Sequence, residues 1–533
     1  MKAMKALLAL TLGAIATVTH GQVWPLPDSV SSGYTNITVY PSTAFFVYDP
    51  RYGEAGSVLK EAFTRYHDLA FPHGTMEDKG ASMKYLNIAL ESFDESHPQL
   101  ETDESYSLSI DEYGNGLISA QTVYGVMRGL ETFSQLVVFD YDTRTYQIAG
   151  APLKIEDSPR FAHRGLMIDT ARHFLPLAAI RSIIDSLPYA KLNVLHWHMV
   201  DTQSFPFEST TYPKLWEGAY SKQERYLQSD ISSIVDYARY RGVRVIVEFD
   251  VPGHAASWCV GYPEVCPSDP ECAQPLNVAN NATFDLIESV LGECTGKQAS
   301  ATDAPSGLFP DDMIHLGGDE VDTSCWTADE DISAWLAEQG MTEDEAYAYF
   351  VGKASDIAVS QGRRPIQWSE VYDHFGTNLN KGTIVHVWKD VTNVTEVVAN
   401  GYNTLVNVGY VDKSWYLDNL DVAWAAVYSK DPCEGVPDEL CPMVLGGHGE
   451  MWGETVDASD LEQTVWPRMA AIAERLWSPK DTTDADAALP RIEAFRCLLN
   501  SRGIAAAPVN NADAREGPPS PASCFEQRRA LRF

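Results

Sequence analysis

Met313-Ile314-His315-Leu316-Gly317-Gly318-Asp319-Glu320 is an apolar run of strand length that stops at two glycines and then at two adjacent carboxylates. The glycines leave room for a ligand or a second backbone to come close. Two acids side by side at a strand end repel each other, so one is expected to hold its proton toward neutrality, as a general acid must. Gly-Asp-Glu strings also occur in solvated turns, so the weight rests on what surrounds this one.

Outward from that stretch the pattern repeats. Apolar runs of strand length lie at Gly165–Asp169, Val194–Asp201, Val243–Asp250, Met313–Leu316, Pro365–Glu370, Thr383–Lys389, Thr404–Val408 and Met443–Gly446, with helical stretches between them. Nearly continuous apolar strands alternating with helices belong to a buried parallel sheet. Eight of them predict a closed (β/α)8 barrel, an α/β fold, with a doubly wound open sheet as the alternative. The strand ends favour the barrel. They carry Asp169, Asp201, Glu248, Asp250, Asp319, Glu320, Trp368, Glu370 and Trp388, followed by Trp452 and Glu454. In a barrel these C-terminal ends share one pole, where active sites form. An acidic pit walled by tryptophan suits a sugar, whose hydroxyls bind carboxylates and whose apolar face stacks on indoles.

Around this barrel the chain reads as four parts. Residues 1–21 carry Lys2 and Lys5 and then an apolar run from Ala6 to Val18, which predicts a secretory signal peptide rather than a membrane anchor. Residues 22–157 mix short strands with one helix, Thr122 to Leu136, whose Val123, Val126, Leu130, Phe133 and Leu136 recur near a period of 3.6, so a small α/β domain is expected. The barrel takes residues 158–500, and a Pro/Ala-rich tail, 501–533, is expected to pack on it.

The 533 residues carry a formal charge of −35 spread along the chain, which argues against nucleic acid or anionic membrane surfaces as partners. No segment after the leader is long and apolar enough to span a bilayer. Nine cysteines without a Cys-x-x-Cys pattern suit disulfides in an oxidising compartment. Local spacing suggests Cys259–Cys266, Cys272–Cys325, Cys433–Cys441 and Cys497–Cys524, leaving Cys294 single, although spacing leaves other pairings open. Asn36, Asn281 and Asn393 head N-glycosylation triplets. Together these features predict a chain of the secretory pathway, extracellular or in a lysosome or vacuole. The histidine-rich strings around His196, His198 and His254 follow strand alternation, not a helical His-x-x-x-His face, so neither a metal nor a cofactor is expected.

Six ordered motifs carry a resemblance. They are Arg164-Gly165…Asp169-Thr170-x-Arg172-His173-Phe174, His196-Trp197-His198-x-Val200-Asp201, Glu248-Phe249-Asp250-x-Pro252-Gly253-His254, His315-x-Gly-Gly-Asp319-Glu320, Trp452-Gly453-Glu454 and Glu474-Arg475-Leu476-Trp477. The chain resembles the family 20 glycoside hydrolases, the β-N-acetylhexosaminidases, of the secreted eukaryotic type, over nearly all of its mature length. The resemblance implies exo-acting, retaining hydrolysis of terminal β-linked N-acetylglucosamine or N-acetylgalactosamine from an oligosaccharide or glycoconjugate, with the substrate's 2-acetamido oxygen as nucleophile. It implies Glu320 as general acid, Asp319 as holder of the acetamido N–H and Tyr416 as donor to the acetamido oxygen. Trp368, Trp388 and Trp452 would enclose the sugar; Arg164, Glu454 and Asp418 would bind outer hydroxyls. Asp201, Glu248, Asp250 and His254 would support the acids from behind. Dimerisation is common among eukaryotic members, so a homodimer is compatible with the resemblance, and this sequence places no interface. A catalytically silent glycan-binding relative and a disaccharide-releasing variant are the other readings. Two departures stand out. Gly446-Gly447-His448 has histidine where the family usually reads glutamate. Asp418-Asn419 replaces the Asn-Arg of members that accept 6-sulfated sugars, which predicts neutral substrates.

Overall fold

The computed structural model describes residues 23–47, 55–73, 82–269, 272–296, 307–389, 393–407 and 415–509. The leader at 1–21 and the tail beyond 509 lie outside the described residues. No helix among those described is long and apolar enough to cross a membrane.

The first unit is a seven-stranded mixed sheet built from β1 (Ser29–Val39), β2 (Ala44–Val47), β3 (Tyr85–Leu90), β4 (Tyr106–Ile110), β5 (Gly116–Ala120), β6 (Val138–Asp140) and β7 (Thr145–Asp157). The strand order is β1-β7-β4-β5-β3-β2, with β6 also on β7. Two helices, α1 (Ser57–Ala70) and α2 (Val123–Leu136), pack together beside this sheet. The predicted helix is α2. It begins where the Thr122 hydroxyl accepts from the Gly125 amide at 3.1 Å, satisfying one of the free first-turn amides.

The second unit is the closed barrel. Strands β8 (His163–Asp169), β9 (Val194–Val200), β10 (Arg244–Phe249), β11 (Met313–His315), β12 (Arg364–Trp368), β13 (Ile384–Val387), β14 (Asn403–Val406) and β15 (Val444–Met451) are all parallel, and β15 pairs back to β8. Three expected runs needed redrawing: Thr383–Lys389 shortens to Ile384–Val387, leaving Trp388 and Lys389 beyond the strand, and two others change as well. Ser369 and Glu370 open a helix, Ser369–Phe375, instead of ending β12. The last strand continues far past Gly446, because glycine serves there for close approach: a Cβ on Gly449 would come within 2.5 Å of the Met469 sulfur.

Inside the barrel the period of two stacks side chains in layers. At the N-terminal pole Val194, Ile246, Met313, Ile366, Ile384 and Leu405 form an apolar plug, joined by Leu100 from the first unit. Above it the inward positions turn polar, with His196, Glu248, His315, His386 and His448 all buried. Gly165 opposes His448 in register; a Cβ at Gly165 would lie 1.9 Å from that imidazole, so the ring needs glycine opposite it. Of the four expected disulfides, Cys259–Cys266, Cys272–Cys325 and Cys433–Cys441 are formed, and Cys294 is a buried free thiol. Cys524, the expected partner of Cys497, lies outside the described residues. Asn36, Asn281 and Asn393 are all exposed. The tail up to Val509 lies on the barrel, where the Ala507 amide donates to the Trp466 carbonyl at 3.0 Å.

The two units exchange tryptophans: Trp24 sits in the barrel's core and Trp477 in the core of the first unit. Between them lies a buried charge network that corrects the expectation for Arg164. Arg164 is the second residue of β8, so it points into the N-terminal pole and the domain junction, away from the acid-bearing mouth. Its guanidinium donates to Glu104 Oε2 at 2.6 Å and to the carbonyls of Lys191 and Phe161, and it lies over Trp477. Arg128 holds the other Glu104 oxygen at 2.6 Å. Burial alone would raise the Glu104 carboxyl, but Arg164 and Arg128 outweigh it and hold the group below its ordinary value. Replacing Glu104 with Gln strands two buried guanidinium groups, so Glu104→Gln is expected to cost about 3–5 kcal/mol in urea denaturation with KM for a glycoside unchanged. An unaltered denaturation curve with a raised KM would return Arg164 to the sugar site.

Candidate active site

Turns after β10 and β11 bring the acids together. Gly317 and Gly318 have φ of 63° and 97°, so the chain leaves β11 through left-handed backbone that glycine adopts freely. The Gly318 amide donates to Asp250 Oδ1 at 2.9 Å, locking the two turns to each other. Tyr347 donates to the Gly318 carbonyl from the far side. His254 and Glu320, neither of them glycine, have φ of 51° and 48°. Those turns aim the His254 ring at both acids: Nε2 lies 3.5 Å from Glu320 Oε2 and 3.6 Å from Asp319 Oδ2. Behind it, His254 Nδ1 is 3.3 Å from Asp201, whose Oδ2 is 2.9 Å from His198 Nε2. His198 Nδ1 lies 2.7 Å from Glu248. A polar chain therefore runs from the middle of the barrel to Glu320.

The charges differ from the sequence expectation. Burial opposes a charge on His254, but Asp319 and the hydrogen bonds to Asp201 and Glu320 outweigh it and push the imidazolium up to about 12. The hydrogen bond from His254 holds Glu320, whose side chain is 58% exposed, below the ordinary carboxyl value. The proton raised by neighbouring acids instead belongs to Asp250 and Asp319. Burial first, then repulsion from Asp319, raises Asp250 well above its usual range, and burial raises Asp319 as well. The repelling pair is thus Asp250–Asp319 across two loops, because adjacent residues at a turn point apart while the turn ends converge.

Three indoles wall the pit. Trp368 is 2% exposed at its floor and donates to Glu248 at 2.9 Å. Its ring centroid lies 6.4 Å from that of Trp388 and 6.1 Å from that of Trp452. Trp388 donates to Glu370 at 2.7 Å, and Lys389 pairs with the other Glu370 oxygen at 2.5 Å. Tyr416, buried, and Asp418, half-buried, reach the same pole because the Leu417 amide donates to the Glu450 carbonyl near the end of β15. Arg468 fastens the Leu417 and Asn419 carbonyls around them.

Residues 161–480 match the family described as "Glycosyl hydrolase family 20, catalytic domain", and residues 23–136 match the domain described as "beta-acetyl hexosaminidase like". The chain belongs to glycosyl hydrolase family 20. It is 43% identical to Beta-hexosaminidase 1 of Arabidopsis thaliana, over 95% of this chain and 94% of that one. It is 36% identical to Beta-hexosaminidase subunit beta of Homo sapiens, over 91% of this chain and 88% of that one. A chitobiase structure from Flavobacterium johnsoniae superposes with a TM-score of 0.75 at 29% identity, covering 91% of this chain and 73% of the other. This family 20 member is therefore a glycosidase of the β-hexosaminidase kind.

The barrel mouth brings together the residues expected there except Arg164, at the opposite pole, and Glu248, which lies deeper in the barrel. The cation at the mouth is Arg172, which sequence reasoning quoted within a motif without giving it a role. Its guanidinium is 2.9 Å from both Asp169 and Asp201, 3.7 Å from the exposed Glu454, and lies over Trp452. The signal was its place three residues beyond a strand-ending Asp169. Glu370, read among the strand-end acids, and Lys389 were likewise given no role. Beyond the departure at His448, Glu450, two residues on, also faces inward and is buried.

Asp250 keeps its proton in the fold but loses it in the unfolded chain above about pH 4. Its contribution to stability is present at low pH and is lost as pH rises through the raised folded value. An amide cannot ionise and can play both hydrogen-bonding roles of the protonated acid. The melting temperature of Asp250→Asn relative to the unsubstituted protein should therefore climb as pH rises above about 4. A flat or falling difference would mean that Asp250 is ionised in the fold.

Proposed function

We propose that this enzyme removes terminal β-linked N-acetylglucosamine or N-acetylgalactosamine with retention of configuration, the 2-acetamido oxygen of the substrate acting as nucleophile. The observation that carries this reading is the Asp319 carboxylate. It is 7% exposed beside the protonated Asp250, and its Oδ1 has no hydrogen-bond partner among the described residues. A buried acceptor of that kind is costly unless a donor arrives, and an acetamido N–H is such a donor.

Glu320 sits in the open part of the pit, where a bound sugar would exclude its water. Losing that water raises a carboxyl's affinity for its proton, so binding turns Glu320 into the acid. The acetamido oxygen then bonds to the anomeric carbon as the glycosidic bond breaks. The electron pair of that bond goes to the leaving oxygen, which takes the Glu320 proton. Positive charge spreads over the oxazolinium ring, whose N–H points at Asp319. Glu320 next takes a proton from water as that water opens the ring at the anomeric carbon. Tyr416 would donate to the acetamido oxygen; Trp368, Trp388 and Trp452 would enclose the ring and acetyl methyl. Arg172 and Glu454 would take outer hydroxyls, with Asp418 near O6. The three disulfides suit an oxidising compartment, in keeping with a chain of the secretory pathway, lysosome or vacuole.

The test is release of aglycone from neutral aryl β-N-acetylglucosaminide and β-N-acetylgalactosaminide. Both should be hydrolysed, and Glu320→Gln should lower kcat by about 10²–10⁴-fold with KM largely kept. Full activity in that variant would reassign the acid, and no release from either substrate by the unsubstituted enzyme would remove the proposed reaction.

A carboxylate at Asp418 repels a sulfate across poorly solvated space. The 6-sulfated aryl glucosaminide should therefore be turned over far more slowly than its neutral parent, and Asp418→Asn should narrow the gap. Equal kcat/KM for the two substrates in the unsubstituted enzyme would place the Asp418 carboxylate away from O6.

A further inference from the structure

The polar layer in the middle of the barrel has more buried nitrogen and oxygen than it can pair. Barrels of this kind normally fill that layer with branched aliphatic side chains. Here one ring nitrogen from each of His196, His386 and His448, on three different strands, lies within 4.8 Å of the others, and all three residues are buried. Each imidazole has one nitrogen close to a neighbour. His196 Nε2 lies 2.8 Å from the Glu248 carboxylate, His386 Nδ1 lies 3.3 Å from His315, and His448 Nε2 lies 2.5 Å from His163. Among the described residues, His386 Nε2, His448 Nδ1 and both nitrogens of His196, whose Nε2 is near Glu248 but not aligned with it for a hydrogen bond, have no hydrogen-bond partner, and neither does either oxygen of the buried Glu450. Unpaired buried atoms are rare singly, and six in one place share a cause.

We propose that His196, His386 and His448, with the Glu450 carboxylate beside them, form a binding site for a divalent late-transition-metal ion of the Zn²⁺ class in the barrel interior. Glu450 Oε1 is 3.5 Å from His386 Nε2 and 3.7 Å from His448 Nδ1. Those separations are long for hydrogen bonds and close to the roughly 3.4 Å between two ligands on one tetrahedral ion with bonds of about 2.0–2.1 Å. Imidazole nitrogen with one carboxylate is the donor set that Zn²⁺ takes. The outer contact of His196 with Glu248 is the carboxylate–histidine pairing that orients a metal ligand and fixes its tautomer. Strand spacing hides this set, since its members lie far apart in sequence and meet only when the barrel closes. The site lies below the carboxylates at the mouth and reaches them only through Glu248, and its metal content can be measured whatever reaction the mouth performs.

The test uses the full, untagged chain produced in zinc-supplemented medium, dialysed without chelator near neutral pH, and analysed for metal by mass spectrometry. One zinc per chain is expected, falling to background in the His386→Gln/His448→Gln variant. The same chain produced with Co²⁺ should show the intense visible absorption of tetrahedral cobalt with nitrogen ligands. If that variant fails to fold, the cobalt spectrum of the unsubstituted chain decides alone. Less than a tenth of an ion per chain, a variant that keeps its zinc, or only the weak spectrum of six-coordinate cobalt would each overturn the proposal.

Discussion

A single carboxylate on the barrel axis organises the interior. Glu248 has no exposure to solvent, yet it is held below the usual carboxyl range, because burial is outweighed by His315, His198 and His196. The three histidines and the Trp368 indole approach its two oxygens from β9, β11 and β12 at 2.7–3.2 Å. A buried charge survives only when its lone pairs are met by donors fixed in place. Two of those groups, Trp368 and His198, then fix something further out. Trp368 becomes the floor of the pit, His198 holds Asp201, and Asp201 holds His254 against the two acids.

The mouth inherits its electrostatics from that chain. His254 is charged because three carboxylates surround it, so Glu320 is ionised before substrate arrives, and the site's stored proton lies deeper, between Asp250 and Asp319. In the reaction proposed above, such an arrangement makes acidity at Glu320 conditional on occupancy. A sugar that displaces water changes the balance; an empty, wet site leaves the acid disarmed.

The barrel was legible because periodicity and strand-end chemistry are local signals, and every run but Thr404–Val408 carried both. The mouth was legible for the same reason, down to Asp319, Glu320, Trp388 and Glu454. What escaped was whatever depends on which end of a strand a residue occupies or on which strands become neighbours. Arg164 and Arg172 flank one strand, and sequence reasoning gave the sugar to the arginine at its base. The raised proton was expected between neighbours in sequence, whereas the fold makes Asp250 and Asp319 the neighbours. His386 and His448 looked unrelated until closure of the barrel set them beside His196.

The two left-handed residues at the mouth have a consequence for how this sequence can change. His254 and Glu320 each bend the backbone into a region that costs an ordinary L-residue about 1–2 kcal/mol, and no substitution that keeps their side-chain chemistry relieves it. Glycine at either position would relax the loop while deleting a proton-bearing group. Selection for thermal robustness alone would therefore reward the loss of both ionisable groups, and only selection for what those groups do keeps the chain in its less comfortable shape.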